Sequence, residues 1–496
     1  MPDHTTPSFG HYLLHDPHHR WLLPAGVLLS VMVFVLFKMV YPFPSFFADS
    51  YFYMQAAVTH AEVDMWPIGY ARFISWVHAL HHGDQLLISI QYLSLTAATW
   101  YLVCTVLYLF RPGTTVKYIL LAWCSCNPLY LYLSNIVASD AIFTALSILW
   151  FTLLLWVAFR PAWYQIVLQA VVLAAAFTLR YNALYYPLLA IPLLWRSRVS
   201  WGLRLAGILL TVLLIGGYVQ HTRMKNEAVT GVKAFSCFSS WQTTNNALYM
   251  YPYIYVDPGS FKDTTLQRIN TMVRDFFEEL PPSMTIGPQD GAWFMLDQRG
   301  PLKAYMFNLW NLFPDKPMVY PYNRSSVPIG TYGRQLIAAH PLAYVRYFLW
   351  PNSGVYLLPP LEQLQTYNQG RDSVETTGRE WFRYKDDQVR GGSNAVQGLL
   401  MGSYRIVFLL INVLFYLSLL IWWWHRKGLL ISGIRLQLLW LTGSLFVLNT
   451  GFSIVASPPV FRYQVFPFLL GMIFLLLVAE IVIPYAEKKG WLKELE

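Results

Sequence analysis

Charge is what this chain has least of. Asp, Glu, Lys and Arg make up 12% of its 496 residues, against about 25% in soluble domains. A soluble protein of this length needs a more charged surface, so that class is excluded. Cysteine is scarce too, with 4. Cys104, Cys124 and Cys126 fall in apolar runs and Cys237 stands alone in a polar stretch. No disulfide framework follows, and Cys124-Ser125-Cys126 lacks a zinc-ligand spacing. The net charge of +9 is scattered and forms no basic run of the kind that marks a nucleic-acid patch. Nucleic acid is therefore not an expected partner. The first apolar run, from Trp21, lacks a small-residue cleavage site and reads as an uncleaved span.

What is present is hydrophobic: 56% of the chain, in recurrent runs long enough to cross a bilayer as helices. The expectation is an all-α polytopic membrane protein of about ten spans. They are placed at 22–41, 85–110, 116–134, 140–159, 162–179, 182–196, 201–219, 403–424, 429–455 and 462–484. Residues 1–21, rich in His, read as a solvated cytoplasmic tail, and 485–496 as a second one. Residues 22–219 form an N-terminal transmembrane module with a first outer loop at 42–83. Within that loop, 68–82 reads as an amphipathic helix lying on the membrane. Residues 220–402 hold most of the Asp, Glu, Asn, Gln and Thr, with Trp241, Trp293 and Trp310 to build a core. They read as an extracytoplasmic domain between spans seven and eight, and its His340–Trp350 segment reads as an interfacial helix. Residues 403–484 carry the C-terminal helices.

Basic residues set the orientation. Arg111, Lys117, Arg160, Arg196, Arg198, Arg204, Arg426, Lys427, Arg435, Lys488 and Lys489 fall on one side if both termini are cytoplasmic. Arg72, Arg180 and Arg462 fall on the other, against the bias, and a charge held there points to function. Asp49 and Asp140 share that side. Each has a plainer reading. Either acid can cap a helix, and each arginine can reach lipid headgroups. Taken together, two acids and two arginines on one face suit transfer from a polyprenyl-phosphate donor. The arginines would grip the phosphate as charge-assisted partners. Asp49 would take the acceptor's proton, with Asp140 as second acid. Tyr51, Tyr53 and Tyr70 would meet sugar or isoprenoid.

Four stretches carry a family resemblance. They are Ala48-Asp49-Ser50-Tyr51; Asn127-Pro128 through Ser139-Asp140-Ala141-Ile142-Phe143; Leu179-Arg180-Tyr181-Asn182-Ala183; and Phe461-Arg462-Tyr463-Gln464-Val465-Phe466-Pro467. In this order the chain resembles the GT-C superfamily of membrane glycosyltransferases, which includes dolichyl-phosphate-mannose protein mannosyltransferases and aminoarabinose transferases. The resemblance implies an inverting transferase acting on the extracytoplasmic face. It implies Asp49 as base and Arg180 and Arg462 at the lipid phosphate; Tyr463 and Arg72 are expected to join them there, and Asn182 to lie beside sugar or acceptor. No cofactor is firmly implied. Ser50 stands where a second acid would complete a pair, so a divalent metal stays open. The partners implied are a polyprenyl-phosphate-linked sugar, membrane lipid, and a glycan, lipid or protein acceptor. A bacterial inner membrane is the expected location, although Asn323-Arg324-Ser325 is a sequon. A glycan polymerase or ligase, or a flippase for a lipid-linked glycan, are the alternatives.

Overall fold

The structure, a computed structural model, describes residues 7–15, 20–281, 283–425 and 434–488. Among these residues the chain is helical without strands. Its bridge pairs are isolated ones, Ser45 with Ile136 and Ser373 with Gln388. Seven helices are long and apolar enough to cross a membrane: Leu22–Val40, Asp84–Phe110, Asp140–Phe159, Trp201–Thr230, Asn394–Trp424, Leu436–Ala456 and Phe461–Pro484. This is the architecture of an all-α, multi-pass membrane protein.

Three expected spans take other forms. The run 116–134 is broken into helices Thr114–Cys126 and Pro128–Ser134. Asn127 leaves the helix and its Oδ1 accepts the Leu129 N–H at 3.0 Å. Pro128, which has no N–H to lose, starts the next turn. The Tyr404 hydroxyl also donates to Asn127 Oδ1, at 2.7 Å, so this irregular backbone is covered by protein, as apolar surroundings demand. The run 162–179 is a helix of 17 residues, Trp163–Leu179. The run 182–196 becomes a 3-10 turn, Tyr181–Tyr185, and a helix of 10 residues, Pro187–Arg196.

The bundle has two distinct ends. At one, Ser45 and Ile136 pair, and Asp140, Arg180 and Arg462 converge. At the other, the Tyr108 hydroxyl donates to the Pro7 carbonyl at 2.9 Å, and Glu480 accepts the Gly113 N–H. Part of the tail expected in solvent is docked there. The helix Phe9–His15 sets Phe9 edge-on to Trp156, 5.1 Å between ring centroids. Residues 1–6, 16–19 and 489–496, and the loop carrying Arg426 and Lys427, lie outside the described residues.

Among the described residues two large cores organise the packing, with a small third cluster of Val157, Ile166 and Leu194. The larger runs through the apolar helices. The smaller is built from residues 237–348, where Trp241 stacks on Tyr322 and donates Nε1–H to its carbonyl at 3.1 Å. The stretch expected as one outer domain therefore divides. Tyr356, Leu361, Leu364, Tyr367, Trp381 and Phe382 join the larger core instead. Residues 341–357 are helical in three successive pieces. Leu342 and Trp350 are exposed there while Phe348 is buried. Helix Gly69–Leu80 is two-faced in the same way, with Tyr70, Ala71, Ile74 and Val77 buried and Trp76 and Leu80 exposed. The sequon is inside helix Val319–Ala339. Asn323 is buried and its Nδ2 donates to Asn226 Oδ1 at 2.9 Å, so no face of it is open to carry a glycan.

Candidate active site

The site is assembled by the turns that end or begin helices. Residues 43–47 run extended beside 135–137: Ser45 N–H donates to the Asn135 carbonyl at 2.7 Å, and Val137 N–H to the Ser45 carbonyl at 3.1 Å. This pairing sets the start of helix Ala48–Val58 beside the start of helix Asp140–Phe159. Gln91 fastens the second segment, donating Nε2 to the Ser134 and Ile136 carbonyls at 2.6 and 3.0 Å.

Neither acid is a cap. The Ser50 hydroxyl accepts the Phe47 N–H at 3.2 Å, while Asp49 sits in the first turn with its carboxylate free to reach outward. Asp140 opens its helix without a capping bond. Nor do the arginines reach for headgroups. Arg462 and Asp140 side chains are 6% and 2% exposed, a burial that only pairing makes tolerable.

Asp140 is the hub. Arg180 and Arg462 each take one of its oxygens, Arg462 Nη1 at 3.1 Å from Oδ2. Arg462 also reaches Asp49 Oδ2 at 3.7 Å and Glu362 Oε2 at 3.7 Å. Tyr463 is sandwiched into the cluster. Arg180 lies over its ring at 4.1 Å, and its hydroxyl accepts a hydrogen bond from Arg462 at 3.0 Å. Phe47 covers Arg462 from another side, at 4.8 Å. Three carboxylates face two guanidinium groups, a net charge of −1 if all ionise. Burial raises the Asp49 carboxyl above its ordinary range and Arg462 opposes it. Burial does the same to Glu362, against Arg462 and with the help of Asp49 and Asp140. The most exposed charged members are Glu362 and Asp49, at 32% and 21%, with Arg180 at 13%, so this is the side open to a ligand.

Glu362 is the residue the sequence reading passed over. Its one signal was an isolated acid after the apolar run Leu357-Leu358-Pro359-Pro360-Leu361. The Phe461 N–H donates to the Pro360 carbonyl at 2.9 Å, which ties the two loops together. Glu362 itself adopts a left-handed backbone, φ 47°, a conformation uncommon outside glycine.

Other expected site residues go elsewhere. Arg72 donates to the Ala61 carbonyl at 2.9 Å and lines a separate cavity of about 240 Å³ that no member of the acid–arginine cluster borders. Tyr53 and Tyr70 are buried, packed edge to face at 4.8 Å. Their hydroxyls meet Ser139 Oγ at 3.4 Å and Gln91 Oε1 at 2.7 Å. With rings and hydroxyls both engaged, they brace the site and do not line an open surface. Tyr51 accepts the Glu375 N–H at 3.2 Å and stacks on Phe46. Asn182 is half-buried in the turn after Arg180 and makes no hydrogen bond to the cluster. Among the described residues no group of three or more His, Cys, Asp or Glu is placed to hold a metal ion.

No family model, no curated protein and no solved structure matches this chain.

Proposed function

We propose that the chain is a GT-C-like glycosyltransferase that moves a sugar from a polyprenyl-phosphate donor to an acceptor on the extracytoplasmic face of a bacterial inner membrane. In this reading the chain passes the bilayer about ten times, with broken and short helices among the passes, and both termini are cytoplasmic. The observation that carries it is one guanidinium, Arg462, buried between Asp140 and Asp49 with Arg180 alongside. Such a pair of arginines binds a phosphate in place of a carboxylate and stabilises it as it leaves.

The step follows from the placement. Asp49, as carboxylate, takes the proton of an acceptor hydroxyl. The hydroxyl oxygen bonds to the anomeric carbon as the bond from that carbon to the phosphate oxygen breaks. The lipid phosphate departs with the bonding pair, against Arg180 and Arg462. A single displacement inverts the anomeric centre. A base whose proton affinity has been raised by burial is better matched to neutral pH than an ordinary carboxylate. Asp140 neutralises and aims the arginines.

Farnesyl phosphate tests the donor site on purified protein in nanodiscs. Its addition should raise the unfolding temperature, farnesol should not, and Arg462→Ala should abolish the difference. Equal stabilisation by the phosphate and the alcohol, or an unchanged response in Arg462→Ala, sinks the reading.

A further inference from the structure

The cavity beside Arg72 has features that the acid–arginine cluster does not use. It lies where the first outer loop, the end of helix Trp201–Thr230 and the smaller core meet, and it holds about 240 Å³. That is below the roughly 300–1,000 Å³ of drug-sized sites, and suits a ligand of one ring. Trp66, Tyr181, Tyr218 and Phe235 give it aromatic walls. Its polar groups are unfinished. The Trp66 indole N–H and the Asn323 side-chain oxygen are buried without a partner. Asn323 is 1% exposed and held rigidly by its bond to Asn226. Asp64 has only the N–H of the next residue, at 2.7 Å, and no ion-pair partner among the described residues. A buried donor or acceptor left unpaired costs about 1–3 kcal/mol, so such groups call for a ligand that supplies both donors and acceptors.

The charges narrow the ligand further. Glu62 and Asp64 balance Arg72 and Lys225. Lys225 is already paired with Glu62 at 2.6 Å, and Arg72 with backbone carbonyls. An anion would meet the unpaired Asp64 and find the cations engaged. A hydroxyl-rich neutral ring can donate to Asp64 and lay a face on the aromatic wall, and a small shift of the Trp66 and Asn323 side chains would bring their unpartnered atoms to it. Tyr181, on that wall, directly follows Arg180 of the cluster.

We propose that this cavity binds one uncharged sugar ring and is an acceptor subsite for a ring other than the one that meets Asp49, since no member of the acid–arginine cluster borders it. The binding stands on the cavity alone; the acceptor role rests on the glycosyl-transfer reading above.

Saturation-transfer NMR on the full-length protein in nanodiscs tests it, with methyl glucoside, methyl galactoside, methyl mannoside and methyl arabinoside as probes. At least one should receive saturation from the protein. Asp64→Asn and Trp66→Phe should each weaken that binding about tenfold, the size of one lost hydrogen bond. Trp66→Phe keeps the ring, so a folded control remains if Asp64→Asn unfolds. No transfer to any of the four, transfer indifferent to both variants, or binding of methylammonium or inorganic phosphate in preference to the glycosides overturns the proposal. Glycoside binding in a protein that ignores farnesyl phosphate leaves the sugar site standing and removes its acceptor role. The reverse pattern removes the sugar site and leaves the donor site.

Discussion

Arg462 and Asp140 are 322 positions apart in the chain and 3.1 Å apart in the fold, each almost sealed from solvent. The last apolar helix is thereby locked to the middle of the N-terminal module by one ion pair. Every other charged member of the site touches one of these two residues.

Removing Arg462 should therefore cost more than a surface charge would. Arg462→Ala strands Asp140 on Arg180 alone, and breaking a buried pair costs about 3–5 kcal/mol. Arg462→Lys keeps the charge and should recover part of that loss. Thermal unfolding of the variants in matched nanodiscs reads this directly; an Arg462→Ala variant as stable as the wild type would mean the pair is not a source of stability.

The pH profile of transfer should carry the mark of Asp49. Its carboxyl is held above the ordinary value of 3.8 by burial, and it must be ionised to accept a proton. Activity is thus lost as pH falls through that raised value, at a higher pH than for an exposed Asp. Stability runs the other way. The folded state holds the proton more tightly than the unfolded chain, so this residue's contribution declines as pH rises through the same window. Asp49→Asn should abolish turnover and flatten that stability slope.

Gly69 should report on the position of Arg180. A Cβ there would stand 2.4 Å from the Thr178 carbonyl oxygen, which is backbone and cannot swing aside. Gly69→Ala must push helix Gly69–Leu80 off helix Trp163–Leu179, at about 1–3 kcal/mol. Arg180 follows at the end of that second helix. A shift of about 1 Å there would lower transfer up to about 100-fold, while Gly202→Ala, with nothing within 4 Å of its Cβ, should change neither quantity. Assays of unfolding temperature and turnover on both variants check this.

Asp64 gives a second pH signature of the same sign, with no ion-pair partner among the described residues to oppose it. Burial pushes its carboxyl up to about 6, so ionisation disfavours the folded state. Asp64→Asn should match the wild type near pH 4 and become more stable than it as pH rises through about 6, by up to about 3 kcal/mol. Paired unfolding curves across that range measure the gap.

The sequence made the helical, membrane-directed character of the chain legible, because apolar runs and scarce charge leave few other folds. It also singled out Arg180 and Arg462, since basic residues at the wrong side of a span stand out against the insertion bias, and with them Asp49 and Asp140, which share that side. The structure brings those four into one cluster. Glu362 was not legible, because it lies some hundred residues before Arg462 and is placed by a backbone bond from Phe461 to Pro360 that leaves no pattern. Arg72 looked like the other two outer arginines. Its burden is local, the carbonyls at the end of the preceding helix. Tyr53 and Tyr70 read as ligand contacts because aromatic residues beside an acid suggest a binding face. Their burial shows the commoner use of a tyrosine, a large apolar body with one satisfied hydroxyl.

The break at Asn127-Pro128 changes the arithmetic of sidedness. Counting only long apolar helices among the described residues gives seven, an odd number, and an odd number of crossings would leave the two termini in different compartments. The broken pair runs from the end marked by Gly113 and Glu480 to the end marked by Ser45 and Ile136, and in the proposed ten-pass reading it counts as one crossing. Each such disguised traverse inverts the compartment assigned to everything that follows it. Reporter fusions behind Gly113 and behind Ser134 would therefore test for a crossing that hydropathy of intact helices does not count.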